Sequence, residues 1–299
     1  MWTRVSSTVV AALALSACAS TSLASTPTVS TVEPLTAVTV PAPTTTAAAV
    51  EATTTTETTV VTTTEPEPTT TTTTNPLAVP ATDPPVVAVG TSDGDDTRRA
   101  QERLLELGFW LQAVDGDYGL TTAQAVMAFQ KYHDLDTSGV LDEATAATLT
   151  TATERAQGRA DAGTLVEVDK GLQLLFFVID GRTEWVLNTS TGTEIPYDEP
   201  DRNTPGLRQI GDSVTRNGLH KVYRERPEGW WEGDLGEIYR PKYFSGGLAV
   251  HGSNHVPDYP ASHGCVRVSV PAMDWIWEND LMPLDTPVWV HEGAYTATD

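Results

Sequence analysis

The feature that most limits the fold is a long low-complexity stretch in the first third of the chain. Residues 19–90 consist mainly of Thr, Pro, Ala, Val and Glu, and they include the threonine runs Thr53–Thr56 and Thr69–Thr74. Such a segment cannot bury enough apolar surface to offset the entropy lost on ordering it. We therefore predict a disordered linker over residues 19–90, so the folded domains must follow it.

Residues 1–18 have the composition of an export signal. A single cation, Arg4, precedes a largely apolar run, Val5–Leu15, that is too short to span a bilayer. The run ends in Leu15-Ser16-Ala17-Cys18, which resembles the processing box of bacterial lipoproteins. That resemblance implies a lipid on Cys18 and an exported protein anchored to the membrane at the cell envelope. An ordinary cleaved signal with an incidental cysteine is the alternative.

Helical spacing of apolar residues recurs in three short segments between residues 93 and 151. The segments are Arg98–Leu107, Thr121–Tyr132 and Asp142–Leu149, and a glycine-rich turn at 114–119 separates the first two. We predict a small all-α domain of three helices, with a plain helical spacer as the alternative. The pattern resembles the small peptidoglycan-binding domain found beside many wall enzymes, which implies peptidoglycan as a partner. The matching positions are Gln101, Leu104, Gly108, the Asp115–Gly119 turn, Thr121, Ala125, Val126, Phe129, Gln130, Gly139, Leu141, Asp142, Thr145 and Leu149.

Residues 163–292 follow a polar link and are dominated by short β-type segments. We predict one helix, at Pro271–Glu278, with a proline in its first position. Mostly antiparallel strands with one short helix favour a β-sandwich-like domain. The predicted strands are Leu165–Val168, Leu172–Ile179, Trp185–Leu187, Val222–Tyr223, Leu248–Val250, Val266–Val268 and Val288–Val290.

A cysteine inside this β-rich region is a candidate nucleophile. Only Cys18 and Cys265 are present, so processing of the first leaves Cys265 without a disulfide partner. A working thiol needs a nearby base, and His251 stands fourteen positions upstream. Gly264 precedes the sulfur and would allow a substrate carbonyl to approach the backbone, so that Cys265 supplies the sulfur and one donor to the oxyanion. A small buried hydrophobic residue is the structural alternative for this cysteine.

The residues around Cys265 form a longer pattern. His251-Gly252, a variable loop and then Ser262-His263-Gly264-Cys265-Val266-Arg267 resemble the catalytic signature of the L,D-transpeptidase (YkuD-type) family. Thr189–Gly192 resembles an earlier Ser-Thr-Gly element of that family, whereas Thr215–Gly218 departs from its Thr-Pro-x-Gly element because Arg216 replaces the proline. The resemblance implies a β-sandwich-like catalytic domain that acts on peptidoglycan stem peptides.

The resemblance also implies roles for individual residues. Cys265 would attack the carbonyl between the diamino acid at position three and the D-alanine at position four, and an amine of a second stem would resolve the acyl-enzyme into a 3–3 cross-link. His251 would be the base, with its tautomer fixed by the carbonyl of Gly252. His263 would point parallel to the sulfur along one strand, and His255 lies in a loop, so neither is preferred as the base.

Further residues are candidates for contact with the substrate. Arg267 would hold a substrate carboxylate or, equally, brace the site by pairing with a buried acid. Ser262 and His263 belong to the signature, and Tyr243 and Tyr259 are aromatic residues close to it in sequence. Aromatic residues upstream of the thiol would line a peptide groove or belong to the core.

Charge and composition exclude several function classes. The formal charge of −22 disfavours nucleic acid as a partner. His251 and His255 are four apart, but Gly252 between them indicates a loop and no third ligand is evident, so we predict neither a metal nor a cofactor. The alternatives are an L,D-carboxypeptidase, a wall-binding scaffold without catalysis, and a cysteine hydrolase of another family, which the His-before-Cys order disfavours.

Overall fold

The computed structural model describes residues 77–292. The predicted signal at 1–18, Cys18 and most of the predicted linker lie outside the described residues. Among residues 77–292, no helix has the length and apolar character needed to cross a membrane.

The linker prediction extended too far at its C-terminal end. Residues 77–90 are ordered against the three-helix region, where Val86 is buried and Val79 and Val89 pack on the same core. The Val79 N–H donates to the Thr153 carbonyl at 2.8 Å, and Gly90 bridges to Leu141. Isolated valines in a proline-rich stretch give no periodic signal, which is why composition alone did not detect this packing.

Three helices form the first folded part, as predicted: α1 (Asp95–Glu106), α2 (Leu120–Tyr132) and α3 (Glu143–Thr151). Asp142 caps α3 by accepting from the Thr145 N–H at 2.8 Å. Gln101 is fully buried, and its side chain bonds the Asp115 and Gly116 N–H groups, which fixes the turn between α1 and α2. These contacts fix the start of α3 and the turn between α1 and α2, around a core of buried apolar residues from all three helices.

The second part is mostly β and confirms the predicted fold class. One five-stranded sheet has the order β3-β2-β1-β12-β6, a second has the order β11-β10-β9-β7 with β8 paired to β9, and β4 pairs only with β5. The strands are β1 (Leu165–Asp169), β2 (Leu174–Ile179), β3 (Arg182–Asn188), β4 (Pro196–Pro200), β5 (Arg208–Asp212), β6 (Gly218–Lys221), β7 (Arg224–Glu225), β8 (Trp230–Gly233), β9 (Gly236–Ser245), β10 (Leu248–Ser253), β11 (Val266–Ser269) and β12 (Pro287–His291).

The second sheet and one helix pack around a shared apolar core with the first sheet. Val166 of the first sheet and Val250 of the second belong to this core, together with Met273 and Ile276 of α4 (Val270–Glu278). Ser269 caps α4 by accepting from the Ala272 N–H at 3.3 Å. Six of the seven predicted strands are present with small shifts in their ends.

The strand predicted at Val222–Tyr223 is wrong. These two residues join β6 to β7, and the Val222 N–H donates to the carbonyl of Thr286 in the loop before β12. Val222 is nevertheless fully buried. Its apolar side chain therefore gave a strand-like signal in a segment that turns between two sheets.

The helices and the first sheet share a single apolar core. Phe109 and Phe129 from the helical part pack in one cluster with Phe176 and Val186 of the sheet. The Trp110 N–H donates to the Val186 carbonyl at 3.0 Å. The helical part is therefore joined to the β-rich part by buried contacts.

Candidate active site

The geometry of the site follows from two neighbouring parallel strands. In the β10–β11 register, Val250 pairs with Val266 and His251 pairs with Arg267. Because side chains alternate between the faces of a strand, both valines point to the core, and His251 and Arg267 share the opposite face. Cys265 immediately precedes β11, and it lines the same cleft as His251 and Arg267.

That face opens into a cleft of about 920 Å³. Six of the residues that the sequence singled out line it: Tyr243, His251, Ser262, His263, Cys265 and Arg267. Tyr259 is 54% exposed and lies outside this set, and its carbonyl accepts a bond from Ser190 Oγ at 2.7 Å. The predicted contact between Tyr259 and the substrate therefore has no counterpart in the cleft wall.

His251 is held in one orientation by a backbone bond. Its Nδ1 lies 2.8 Å from the Gly252 carbonyl oxygen, so Nδ1 carries the proton and Nε2 is the basic nitrogen. Burial lowers the pKa of His251 to about 4, the bond to Gly252 opposes this change, and the charge of Arg267 adds to it. The imidazole is therefore neutral at physiological pH and able to accept a proton.

Cys265 is partly exposed and is the only cysteine in residues 77–292. Burial raises the pKa of its thiol, while the Ala249 N–H, which bonds the sulfur, and the charge of Arg267 both lower it. The net shift is upward. The site at rest therefore favours a neutral thiol and a neutral imidazole.

The turn before the cysteine requires glycine. Gly264 has φ +118°, and a Cβ there would lie 2.9 Å from the Val214 carbonyl oxygen. Its carbonyl accepts from Thr215 Oγ1 at 2.8 Å. Ser262 Oγ accepts from the Gly264 N–H and donates to the Cys265 carbonyl at 2.6 Å. The hydroxyl of Ser262, which the sequence suggested for substrate contact, is thus engaged in shaping this turn.

His263 points away from the sulfur. Its Nε2 lies 2.9 Å from Glu199 Oε1, and its ring packs against Tyr197 with centroids 4.9 Å apart, both on the β4–β5 hairpin. Residues 263 and 264 form a bend, so His263 does not lie parallel to the sulfur along one strand as expected from the sequence. His263 therefore links the turn to the hairpin. Of the other two histidines that line the cleft, His255 is exposed and His251 is buried on the strand next to β11, so His251 is the candidate base.

Comparisons with known proteins agree with this site. The family described as the L,D-transpeptidase catalytic domain matches residues 163–290, and the family described as a putative peptidoglycan binding domain matches residues 93–149. A crystal structure of an L,D-transpeptidase (residues 123–326) from Xylanimonas cellulosilytica is 40% identical, with a TM-score of 0.61, and the match covers 68% of this chain and 96% of that one. The chain belongs to the L,D-transpeptidase family.

Two further comparisons are more distant. An L,D-transpeptidase structure from Stackebrandtia nassauensis is 19% identical over 72% of this chain and 100% of that chain, with a TM-score of 0.38. The N-acetylmuramoyl-L-alanine amidase CwlM of Mycobacterium tuberculosis is 37% identical over 65 residues, which is 22% of this chain and 16% of that protein. This chain thus spans about a sixth of the length of CwlM. The two matched families support peptidoglycan as the partner of this L,D-transpeptidase and imply action outside the cytoplasm.

The Thr189–Gly192 element of this L,D-transpeptidase braces the strand that carries Arg267. Ser190 and Arg267 exchange two backbone bonds, of 3.2 and 3.0 Å. A Cβ on Gly192 would lie 1.9 Å from the Ser213 carbonyl oxygen and 2.9 Å from the Cα of Gly264. The glycine therefore lets this segment pass directly beside the turn before Cys265.

Four arginines in the cleft of this L,D-transpeptidase were missed by the sequence analysis. They are Arg202, Arg216, Arg224 and Arg226. The spacing Arg224-Glu225-Arg226 in so acidic a chain was the signal that could have drawn attention to two of them. No group of three or more His, Cys, Asp or Glu side chains within residues 77–292 is arranged to hold a metal ion.

Proposed function

We propose that this L,D-transpeptidase uses Cys265 as a nucleophile on stem tetrapeptides and joins two stems by a 3–3 cross-link during cell wall biogenesis. The placement of His251 on β10 and of Cys265 immediately before β11, both at the wall of one cleft, carries the proposal. Family membership supports the enzyme class, and the peptidoglycan-binding domain supports the choice of substrate.

The first half of the reaction forms a thioester. As the sulfur of Cys265 attacks the carbonyl between positions three and four, the thiol proton passes to Nε2 of His251. The backbone N–H of Cys265 is the candidate donor to the oxyanion, because the Gly264 N–H is already bonded to Ser262 Oγ. The C–N bond then breaks, and D-alanine leaves with the proton that His251 returns to its nitrogen.

The second half transfers the acyl group. The side-chain amine of a second stem attacks the thioester carbonyl, and His251 takes a proton from that amine. The C–S bond breaks, the sulfur regains the proton, and the new amide links the two diamino acids. Water in place of the amine would give the tripeptide of an L,D-carboxypeptidase, with the same residues in the same roles.

Product analysis tests the function. We expect the purified protein to convert stem tetrapeptides into dimers with release of D-alanine, and Cys265→Ala to give neither product. Tripeptides without dimers would favour the carboxypeptidase. A folded protein that releases no D-alanine and gains no covalent mass on exposure to a carbapenem would leave only a wall-binding scaffold.

We also propose that Cys18 is lipidated and anchors the protein in the membrane of the cell envelope. The Leu15-Ser16-Ala17-Cys18 box supports this. Wild-type protein should incorporate labelled fatty acid and sediment with membranes, whereas Cys18→Ser should incorporate none. Equal labelling of both proteins would contradict the anchor.

A further inference from the structure

The arginines of residues 163–292 separate into two groups. Arg182, Arg208 and Arg240 lie outside the cleft wall, and each pairs with a carboxylate, at 3.7, 2.5 and 2.7 Å respectively. The other five line the cleft, and none of them forms an ion pair with a carboxylate of residues 77–292. They are Arg202, Arg216, Arg224, Arg226 and Arg267.

The excess of acidic residues makes this distribution informative. The chain has 40 Asp and Glu residues against 18 Lys and Arg, so carboxylates are available throughout the surface. Three acidic residues, Asp212, Asp234 and Glu237, also line the cleft, yet none lies within ion-pair distance of these arginines. Guanidinium groups that stay unpaired in one concave site of an acidic protein point to an anionic ligand.

The strand register gives the approximate distance between Arg224 and Cys265. Arg224 pairs with Tyr243 across β7 and β9, and Tyr243 pairs with Ala249 across β9 and β10. Ala249 and Cys265 each precede one member of the Val250–Val266 pair, so they are neighbours at the point where β11 begins. Neighbouring strands lie about 4.8 Å apart, so Arg224 is on the order of 14 Å from Cys265 along one row of the sheet.

Aromatic rings hold Arg224 and also Arg226, which follows it two residues along the chain. The Arg224 guanidinium lies 3.9 Å from the Tyr243 ring centre, and the Arg226 guanidinium lies 3.6 Å from that of Trp231. The charges of Arg224 and Arg226 oppose the rise in the pKa of Tyr243 that burial causes. Stacking fixes the plane of a guanidinium and leaves its N–H edge free for a planar acceptor.

One donor in this cluster has no partner. Nε of Arg226 is buried and makes no hydrogen bond to any group of residues 77–292. A buried donor without an acceptor is costly, so such an atom beside a substrate cleft marks a place where a ligand supplies the acceptor. A carboxylate fits, because its two oxygens match the fork of an arginine.

We infer that Arg224 and Arg226, held by Tyr243 and Trp231, form a carboxylate subsite separate from Arg267, and that it selects stem peptides whose carboxyl groups are free. The inference rests on the proposed function for its substrate class. A carboxamide has no charge and presents N–H groups to the arginines, so it loses both the attraction and one acceptor. The subsite therefore discriminates free from amidated stems.

Binding to the inactive protein tests the subsite without turnover. In the Cys265→Ala background, calorimetry would measure the affinity for three synthetic stem tetrapeptides. The first has free carboxylates, the second is amidated only at its internal carboxyls, and the third is amidated only at the terminal D-alanine. We expect the free peptide to bind about 10-fold more tightly than one of the two amidated forms. The amidated form that loses affinity identifies the carboxylate.

Substitutions then test which arginines cause the preference for the free carboxylate. In the same background, Arg224→Gln and Arg226→Gln should each reduce the preference for the free carboxylate toward unity, and Arg226→Lys should retain part of it because the charge remains. Arg182→Gln is the matched control, since Arg182 pairs with Glu184 away from the cleft. We expect it to keep the full preference.

Several outcomes would overturn the subsite. Equal affinity for all three peptides in the Cys265→Ala protein would do so even if the arginine variants failed to fold. An equal loss of affinity for free and amidated peptides in Arg226→Gln would also overturn it, because Arg226 would then contribute only to packing. Turnover of wild-type protein is measured separately, so cross-linking without discrimination would reject the subsite and leave the proposed function intact.

Discussion

His251 and Arg267 are direct partners across the parallel strands β10 and β11. Their side chains share the cleft face with Cys265, and the arginine charge lowers the pKa of both the imidazole and the thiol. Burial disfavours the charged imidazolium and the charged thiolate alike, so it lowers the pKa of His251 and raises the pKa of Cys265. Arg267 therefore keeps the base neutral while it moderates the cost of ionising the sulfur.

Removal of this charge should shift both groups upward. In Arg267→Gln, we expect the pKa of His251 to rise above its value of about 4, and the pKa of the Cys265 thiol to rise further above its ordinary value. NMR titration of the imidazole and the pH dependence of alkylation by iodoacetamide would measure the two shifts. Arg182→Gln is the control for charge alone, and unchanged titration in Arg267→Gln would contradict the assigned coupling.

The low pKa of His251 predicts an unusual acid limb of the rate profile. The base must be neutral, and it gains a proton only as the pH falls through about 4. The rate of D-alanine release should therefore stay constant to well below pH 6 and decrease only near pH 4. An acid limb near pH 6.5 would show that the imidazole is less shielded than the structure indicates.

Loss of the base itself should slow the reaction at every pH. We expect His251→Gln to reduce the rate of acylation by a factor of about 10² to 10⁴, which is the usual contribution of a general base. Intact-mass spectrometry of the acyl-enzyme over time would measure this rate. His255→Gln, in the exposed loop after β10, should retain the wild-type rate; equal losses in the two variants would remove the special role of His251.

The turn before the nucleophile predicts intolerance of any side chain. Gly264→Ala would place a Cβ at φ +118° and 2.9 Å from the Val214 carbonyl oxygen, so we expect a loss of about 2 kcal/mol in unfolding free energy and at least about 10-fold in activity. Urea denaturation and D-alanine release would measure these losses. At Gly229 a Cβ meets nothing within 4 Å, so Gly229→Ala should stay within about 0.5 kcal/mol of wild type.

Local patterns were sufficient to predict the four helices and six of the twelve strands, and to single out His251 and Cys265, which both line the cleft. The apolar spacing that predicts a helix or strand depends only on contiguous residues, and the signature around Cys265 is also contiguous apart from one loop. The position of Arg224 in the cleft was not predictable in this way. It depends on Arg224 meeting Tyr243, and on Tyr243 meeting Ala249, through strand registers that no short segment specifies.

The contact between the helical part and the β-rich part was equally hidden in the sequence. Lys131 of α2 is buried and donates to the side chain of Asn188 at 2.5 Å and to the Thr189 carbonyl at 3.3 Å, and burial lowers its pKa to about 7. Gln124 of the same helix donates to the Val256 carbonyl in the loop after β10. A lysine and a glutamine on a helix normally indicate a solvated face, so the pattern gave no sign of an interface.

This interface predicts that the catalytic part is unstable alone. A fragment of residues 163–292 would expose Leu174, Phe176 and Val186, which are at most 1% exposed when the helices cover them. At about 1.5–3 kcal/mol for each buried side chain, the loss is on the order of 5 kcal/mol. We expect a much lower Tm and aggregation of this fragment relative to residues 77–292, by calorimetry and size-exclusion chromatography; equal Tm values would show that the β-rich part folds independently.

Glu167 predicts how stability depends on pH. It is fully buried in β1, and its carboxylate accepts from the N–H groups of Arg159 and Ala160 and lies 2.8 Å from His291 Nε2. Burial raises the pKa of this carboxyl, but the bonds to His291, Arg159 and Ala160 outweigh burial and hold the pKa below its ordinary value of 4.5. The carboxylate is thus more stable in the folded protein than in the unfolded chain.

The sign of the pH effect follows from that lowered pKa. The stabilisation is fully present above pH 4.5 and is lost as the pH falls through the lower folded value. Glu167→Gln should cost on the order of 2 kcal/mol at neutral pH, because an amide N–H₂ replaces one charged acceptor. Denaturant unfolding at pH 7 and pH 3 should show a smaller difference between wild type and variant at the lower pH. Glu184→Gln, at a partly exposed surface pair, should change the unfolding free energy little at either pH. If the difference between wild type and Glu167→Gln were the same at both pH values, the ionisation of Glu167 would not be linked to folding.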